Sequence, residues 1–583
     1  MLSRGLQFAL FLLVILGVYL AGNGRTQLFD RDEPRYAQCS RQMLQSGDWV
    51  VPRLYDELRT KKPPAIYWCQ ATAMTLLGDN AFAARLPSAI AAVLAALLIG
   101  VWAGRELGPR HTIWTAFVLA SSLLLLWSGK NCLTDAVLML CITSGLACIY
   151  LLWRRRGGWP AVIGLAVATA CGGLVKGPFI LGVLASTCVA LVLLAWFDRW
   201  RQRRRERNER PERGFEVVTA ETWPPSATRT EGSTVVAPTI ERVATIRLFD
   251  VALKLVVGLL IVIAIVAPWL YLVHQRAPQF LGAAKADAMQ HLESGTEGHS
   301  GPPGYHLALV WVTFLPWSLL LPLAIGLGIK HRRTPAIRFA LAAVLGTWVF
   351  VEVLQTKLPH YFLPAFPWLA VLTADAILRC LKGEQRDLES LGIRVGSLVV
   401  AVVILGFATV PWWWIAIKFH DFPLVALVPL TAFGLVYATA VAAFFWSGEI
   451  RAALVTMGAG SLGMAVLLFA VCLPQSQPLR LPVRVADVLV SHGVTHPHEA
   501  VMFEYKEPSL AFYQGGTIRE YNESLQQFAL QKGEPSWIVI PRWVWDQSSP
   551  QTRNAFELVA PPIRGLDYSD ALKSVEVMVL HRK

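Results

Sequence analysis

Three carboxylates and a few cations stand out in this 583-residue sequence because they interrupt or end long apolar runs. Asp32, Glu33 and Arg35 follow the first such run, and Lys61 and Lys62 come later in the same polar stretch. Asp135 opens an apolar run after GKNCLT, and Lys176 closes the next one in VKGP. Lys357, His360 and Tyr361 fall in a short polar turn, and His291, His299 and Tyr305 in another. Cations beside carboxylates suit an anionic group together with a second group that must be oriented or deprotonated. Lys and Arg stabilise a phosphate leaving group when aimed at the oxygens where charge develops. A carboxylate nearby can act as general base or hold the attacking group in line. No GxxxxGK[ST], GxSxG or HExxH pattern competes with this chemistry. At a bilayer surface the natural phosphate belongs to a lipid, so these residues point to a lipid-phosphate transferase.

The elements that would position them are membrane helices. The chain is 54% hydrophobic and 16% charged, whereas soluble domains carry about 25% charged residues. Apolar runs centred near Val14, Leu94, Phe117, Leu140, Leu165, Cys188, Val262, Leu319, Val344, Leu372, Ile404, Leu435 and Val466 predict about thirteen spanning helices. With Arg4 in the cytoplasm, the even-numbered helices end at basic turns: Arg105/Arg110, Arg154–Arg156, Arg199 onward, Lys330–Arg333, Arg379/Lys382/Arg386 and Arg451. Positive residues concentrate in cytoplasmic loops, and this accounts for most of the +13 net charge. Nucleic-acid binding is not expected, since no recognised module accompanies the charge. With this topology the polar residues above all fall on the outer face. Ionisable residues near membrane depth are costly and tend to mark sites. Each alone could be an interfacial anchor, but anchoring does not explain why they converge.

The expected fold class is therefore a polytopic α-helical membrane protein. Residues 1–474 form the transmembrane domain, and 475–583 a small outer α/β domain with strands at SWIVIP and VEVMVLH. Residues 198–250, basic and then Pro/Ser/Thr-rich, read as a disordered cytoplasmic loop. The first outer loop, 23–80, is too long for a turn. Its stretches Glu33–Gln45 and Ala65–Leu76 set Tyr36, Cys39 and Met43, and Ile66, Tyr67 and Met74, on single faces, as helices lying at the membrane interface would. The nine cysteines include no CxxC spacing. His492, His496 and His498 read as a solvated loop before they read as a metal site.

The stretches DRDEPRYAQCSRQMLQSGDWVVPRL, RTKKPPAIYW and FAARLPSAIAAVL resemble the opening of the aminoarabinose-transferase and protein-mannosyltransferase branch of the GT-C glycosyltransferases. The resemblance continues through NCLTDAVL, LVKGP, APWLYLV, GHSGPPGYH, FLPWS, KLPHYFLPAFP and EYKEPSLAFYQGG, and skips only 198–250. It implies inverting transfer of a sugar from a polyprenyl-phosphate carrier to a lipid A-like, glycan or protein acceptor at the outer face of the plasma membrane. Asp32 then orients or deprotonates the acceptor and Asp135 supports the site. Lys62, Lys176 and Tyr361, with Arg35, hold the donor phosphate. Glu33, Tyr36, His291 and His299 are weaker candidates, a structural ion pair is an equal reading of Arg35, and Arg85 and Pro87 read as structural. Two departures matter. Lys61 stands where the family often has Glu before Lys-Pro-Pro, and Gln290-His291-Leu292-Glu293 lacks the family's Arg. A lone His291 is a poor zinc ligand set, since zinc takes about three or four ligands, so neither metal nor cofactor is expected.

The competing class is a transporter or flippase for an anionic polyprenyl lipid. It predicts ionisable residues near the bilayer midplane and internal repeats, and the sequence places its polar groups at helix ends. An envelope scaffold leaves the polar clustering unexplained.

Overall fold

The computed structural model describes residues 4–29, 32–208, 240–293, 301–384, 387–420, 423–531, 533, 535–568, 570 and 572–583. His299 and residues 209–239 of the basic insertion lie outside the described residues, and for His291 only its place in helix Gln279–Glu293 is described. Ten described helices are long and apolar enough to cross a bilayer, up to twelve if two bent pairs each make one span. A shorter apolar helix, Gly5–Leu20, precedes them. All the apolar runs named above fall on these helices, but the count of thirteen crossings is not reached on length and composition. The first run is short, and two others break, at Arg110–Ala120/Leu123–Lys130 by 68° and at Tyr305–Thr313/Trp317–Lys330 by 119°.

The two breaks face each other. Leu123 N donates to Leu315 O at 2.8 Å, and Trp317 Nε1 to Ser121 Oγ at 2.9 Å. Ser461 Oγ donates to Ser121 O at 2.8 Å. Backbone groups released inside an apolar medium must find protein partners, and each broken helix here supplies them to the other. Beside the breaks lies a cavity of about 540 Å³ lined by Phe29, Leu126, Trp127, Ile404, Phe469 and other apolar side chains. Its wall includes a π-helical turn, Leu467–Cys472, whose Phe469 carbonyl accepts from Thr26 Oγ at 2.6 Å. Gly22, at φ +79°, packs on the same carbonyl so closely that a Cβ would overlap it.

Charge is sorted between the ends of the bundle. At one end Arg156 pairs with Glu106, Arg332 and Arg338 with Asp198, and Arg379 and His111 with Asp375. These contacts tie several of the basic turns together. The helices Phe179–Asn208 and Ile240–Arg276 run further into the polar insertion than its composition predicts. Arg, Glu and Gln are good helix formers, so the helix continues past its apolar part.

At the other end sits the first loop. Its helices, Asp32–Ser46 and Ala65–Leu77, turn their apolar faces on each other, and Tyr36, Cys39, Met43, Ile66 and Tyr67 form one buried cluster. What holds this loop is an ion pair. Arg85, fully buried in helix Ala81–Leu107, meets both oxygens of Glu33 at 2.7 and 2.8 Å. It also donates to the carbonyls of Asn23, Thr26 and Gln27 at 2.7–2.9 Å. Glu33 further accepts from Phe29 N and Cys132 N.

The C-terminal region is a six-stranded sheet with helices. Ala500–Met502 pairs in parallel with Arg519–Glu520 and Trp537–Pro541. Trp537–Pro541 pairs antiparallel with the long strand Lys573–Arg582, whose other edge carries Phe556–Leu558 and Ile563–Asp567. The expected strands at SWIVIP and VEVMVLH are the two central ones. The sheet region docks on the first loop. Tyr513 Oη accepts from Leu28 N at 2.8 Å, and Phe512 O accepts from Arg41 Nη1 at 2.6 Å. Gly516, at φ +84°, lies against Gln38 with no room for a Cβ.

Removing one member of a buried ion pair leaves the other charge uncompensated, at about 3–5 kcal/mol. Glu33→Gln should therefore lower the unfolding temperature of the detergent-solubilised protein sharply. Arg85→Lys should not rescue the fold, because an ammonium cannot reach the same five acceptors.

Candidate active site

The site is assembled from helix ends. Asp135 occupies the first turn of helix Asp135–Trp153 and Lys176 the last turn of Gly158–Lys176. Each position suits its charge, since a helix favours anions at its N-terminus and cations at its C-terminus. Lys176 Nζ donates to Asp135 Oδ1 at 2.9 Å, and both side chains are nearly buried. The same Nζ stands 4.7 Å from the centre of the Tyr361 ring and 5.6 Å from that of Phe179, within cation–π range. Tyr361 and His360 are carried by the 3₁₀ turn Pro359–Ala365 that opens helix Phe366–Leu381. His360 Nε2 lies 3.8 Å from the same Asp135 oxygen. Lys62, half-buried, is near enough for its charge to be felt at both Asp135 and His360.

Asp32 approaches this pair from the first loop. Its side chain is 54% exposed, and Arg35 and Arg59 stand 3.9 and 3.8 Å from Oδ1. Neither guanidinium closes to a hydrogen bond, so the carboxylate presents an open face. Its charge is felt at Lys176 and His360 as well as at Tyr36 and Tyr67. Tyr36 stacks on Tyr67 with ring centres 5.6 Å apart. Burial pushes both phenols well above their ordinary range, so they stay protonated.

Asp32, Asp135, Lys62, Lys176, Tyr361, Arg35 and Tyr36 are thus brought to one region. Glu33 is not: its oxygens are committed to Arg85 and to backbone amides, and it serves the loop. Lys357 also turns away, donating to Glu352 at 2.6 Å. Arg59, just upstream of Lys61-Lys62 in an exposed-looking run, is not among the sequence candidates, and His360 is among the polar residues singled out but without a role. Among the described residues, no three His, Cys, Asp or Glu side chains gather as a metal site would require.

Such an arrangement can bind a phosphate between lysines and a tyrosine while an open carboxylate faces the group that attacks. Comparison with known proteins fits this chemistry. Residues 6–220 match the dolichyl-phosphate-mannose-protein mannosyltransferase family. An undecaprenyl phosphate-alpha-4-amino-4-deoxy-L-arabinose arabinosyl transferase of Yersinia pestis is 26% identical over 417 residues, 68% of this chain and 65% of its own length. The same enzyme of Edwardsiella ictaluri is 28% identical over 407 residues, covering 68% of this chain and 63% of its own. The matched part of this chain thus spans a little under two thirds of those relatives. The crystal structure of ArnT from Cupriavidus metallidurans bound to undecaprenyl phosphate superposes with a TM-score of 0.72 at 20% identity, covering 99% of this chain and 98% of that one. Its apo form gives 0.70 at 19% identity, with the same coverage. The resemblance read from the motifs is borne out: the chain is a multi-pass membrane protein with the fold of ArnT, and the sequence relatives it matches are aminoarabinose transferases.

Proposed function

We propose that this chain is an inverting glycosyltransferase that moves a sugar from a polyprenyl-phosphate carrier to a lipid A-like, glycan or protein acceptor. The observation that carries this is the buried Lys176–Asp135 pair, roofed by Tyr361, with Asp32 open beside it. As the bond from sugar to phosphate breaks, negative charge grows on the phosphate oxygens. Lys176 and Lys62 stand where they stabilise that charge. Asp135 keeps Lys176 charged and aimed, and Arg35 and Arg59 hold Asp32 in place without neutralising it by close contact. Asp32 then aligns the acceptor, and takes its proton when the acceptor is a hydroxyl. An acceptor phosphate is already ionised and asks only for alignment.

The apolar cavity of about 540 Å³ supports a lipid-linked reactant, since Phe29 in its wall donates its amide to Glu33, next to Asp32. The charge sorting supports the orientation read from the sequence: N-terminus cytoplasmic, site on the outer face of the plasma membrane, 1–474 spanning and 475–583 outside. A flippase would need its ionisable groups near midplane, and Asp135 and Lys176 sit at helix ends.

Purified protein given labelled polyprenyl-phosphate sugars and membrane acceptors should transfer the label. Asp32→Asn should lower kcat by about 10²–10⁴-fold, the usual contribution of a positioned base; equal rates in wild type and variant would sink the assignment. Lys176→Met should cost about 10²–10³-fold in kcat, as loss of one donor to a developing anion does, and this is read in single-turnover release of polyprenyl phosphate. Transfer should survive exhaustive chelation with EDTA, because lysines suffice for a monophosphate leaving group; a rate restored only by added divalent metal would contradict the proposal.

A further inference from the structure

A second cluster, which the transfer chemistry does not use, holds the turn that carries His360 and Tyr361. Glu352 lies in the last turn of helix Pro335–Val353, where the helix's own partial charge disfavours an anion. It is compensated by four donors. Lys357 Nζ reaches Oε2 at 2.6 Å and Gly304 N reaches it at 3.1 Å. His306 approaches Oε1 with its backbone N at 3.1 Å and with Nδ1 at 3.2 Å. The other ring nitrogen, Nε2, is 3.1 Å from the carbonyl of Leu358. Each ring nitrogen of His306 thus lies against an oxygen, Nδ1 against the Glu352 carboxylate and Nε2 against the Leu358 carbonyl. The His306 side chain is fully buried.

The carbonyl of Leu358 is the shared point. It receives His306 Nε2 and, at 3.0 Å, the backbone N–H of Tyr361. A continuous path of polar contacts therefore runs from Glu352 through His306 and Leu358 to the residue whose ring covers Lys176. Lys357, which also reaches the carbonyl of Pro302, is drawn out of the phosphate-binding set by the same carboxylate.

We propose that Glu352 is a positioning residue for the donor site: through His306, Lys357 and the Leu358 carbonyl it sets where Tyr361 and His360 stand against Lys176 and Asp135. This rests on the reading that Lys176 and Tyr361 hold the donor phosphate. Glu352 touches no reactant itself, and its effect falls on the donor alone, because Asp32 is held by the first loop and not by this turn.

The test uses the full chain in detergent, with undecaprenyl phosphate as binding probe and with KM measured separately for donor and acceptor. Glu352→Gln, which loses the charge that gathers His306 and Lys357, should bind the probe about ten-fold more weakly, the scale of effect that a small misplacement produces. Donor KM should rise with it while acceptor KM holds, and Glu352→Asp should recover most of the loss. Lys357→Met, which removes one donor and leaves His306 in place, should shift the donor in the same direction. A folded Glu352→Gln that binds the probe like wild type, or that loses donor and acceptor affinity alike, overturns the proposal. If Glu352→Gln does not fold, unchanged donor affinity in Lys357→Met overturns it instead. Failure of the wild type to bind the probe removes the donor reading and this role together, whereas wild-type binding that Glu352→Gln leaves intact removes this role alone.

Discussion

The buried pair of Glu33 and Arg85 is the constraint on which the outer half of the molecule depends. A guanidinium with no solvent exposure must satisfy its donors inside the protein. It does so by drawing three backbone carbonyls and a carboxylate around itself, which folds residues 23–29 and Glu33 back over the helix ends. Asp32, one residue from that carboxylate, is carried to the site as a consequence. The neighbouring acids of this loop therefore differ: one is buried and gives shape, the other stays open beside Asp135 and Lys176.

Electrostatics elsewhere follow the same economy. At the end of the bundle opposite the site, Glu106, Asp198 and Asp375 are met closely by arginine or histidine, and the pairs stitch loops together. At the site the contacts are of two kinds. Lys176 and Asp135 are in close contact and nearly buried, which fixes geometry, whereas Arg35 and Arg59 stay almost 4 Å from Asp32. A charge held at that distance is oriented without being quenched, which is what a group awaiting an acceptor requires.

Much of this was legible in the sequence, for reasons specific to particular residues. Asp135 and Lys176 could be found because a charge at the end of an apolar run is conspicuous, and the arginines at the other helix ends set them at the opposite end of the bundle. The two loop helices could be found from their apolar faces, although those faces proved to pack on each other. Residue type alone does not separate Glu33 from Asp32, since adjacent acids differ only in which way the helix turns them; the ranking of Asp32 above Glu33 comes from the resemblance. His306 and Glu352 escaped notice because they lie 46 residues apart and one of them sits within an apolar helix. The breaks in two spans were invisible because apolar composition continues through them, and only the mutual hydrogen bonds of Leu123 with Leu315 and of Trp317 with Ser121 make them tolerable.

The docking of the sheet region on the first loop joins segments far apart along the chain. The amide of Leu28 waits for the hydroxyl of Tyr513 across 485 residues, and Arg41 for the carbonyl of Phe512 across 471. Contacts of such separation form late, after the cost of ordering the intervening chain has been met. A chain that has not yet added the sheet region lacks the partners of Leu28 and Arg41, so the loop that bears Asp32 settles only after the spans between them have been laid down.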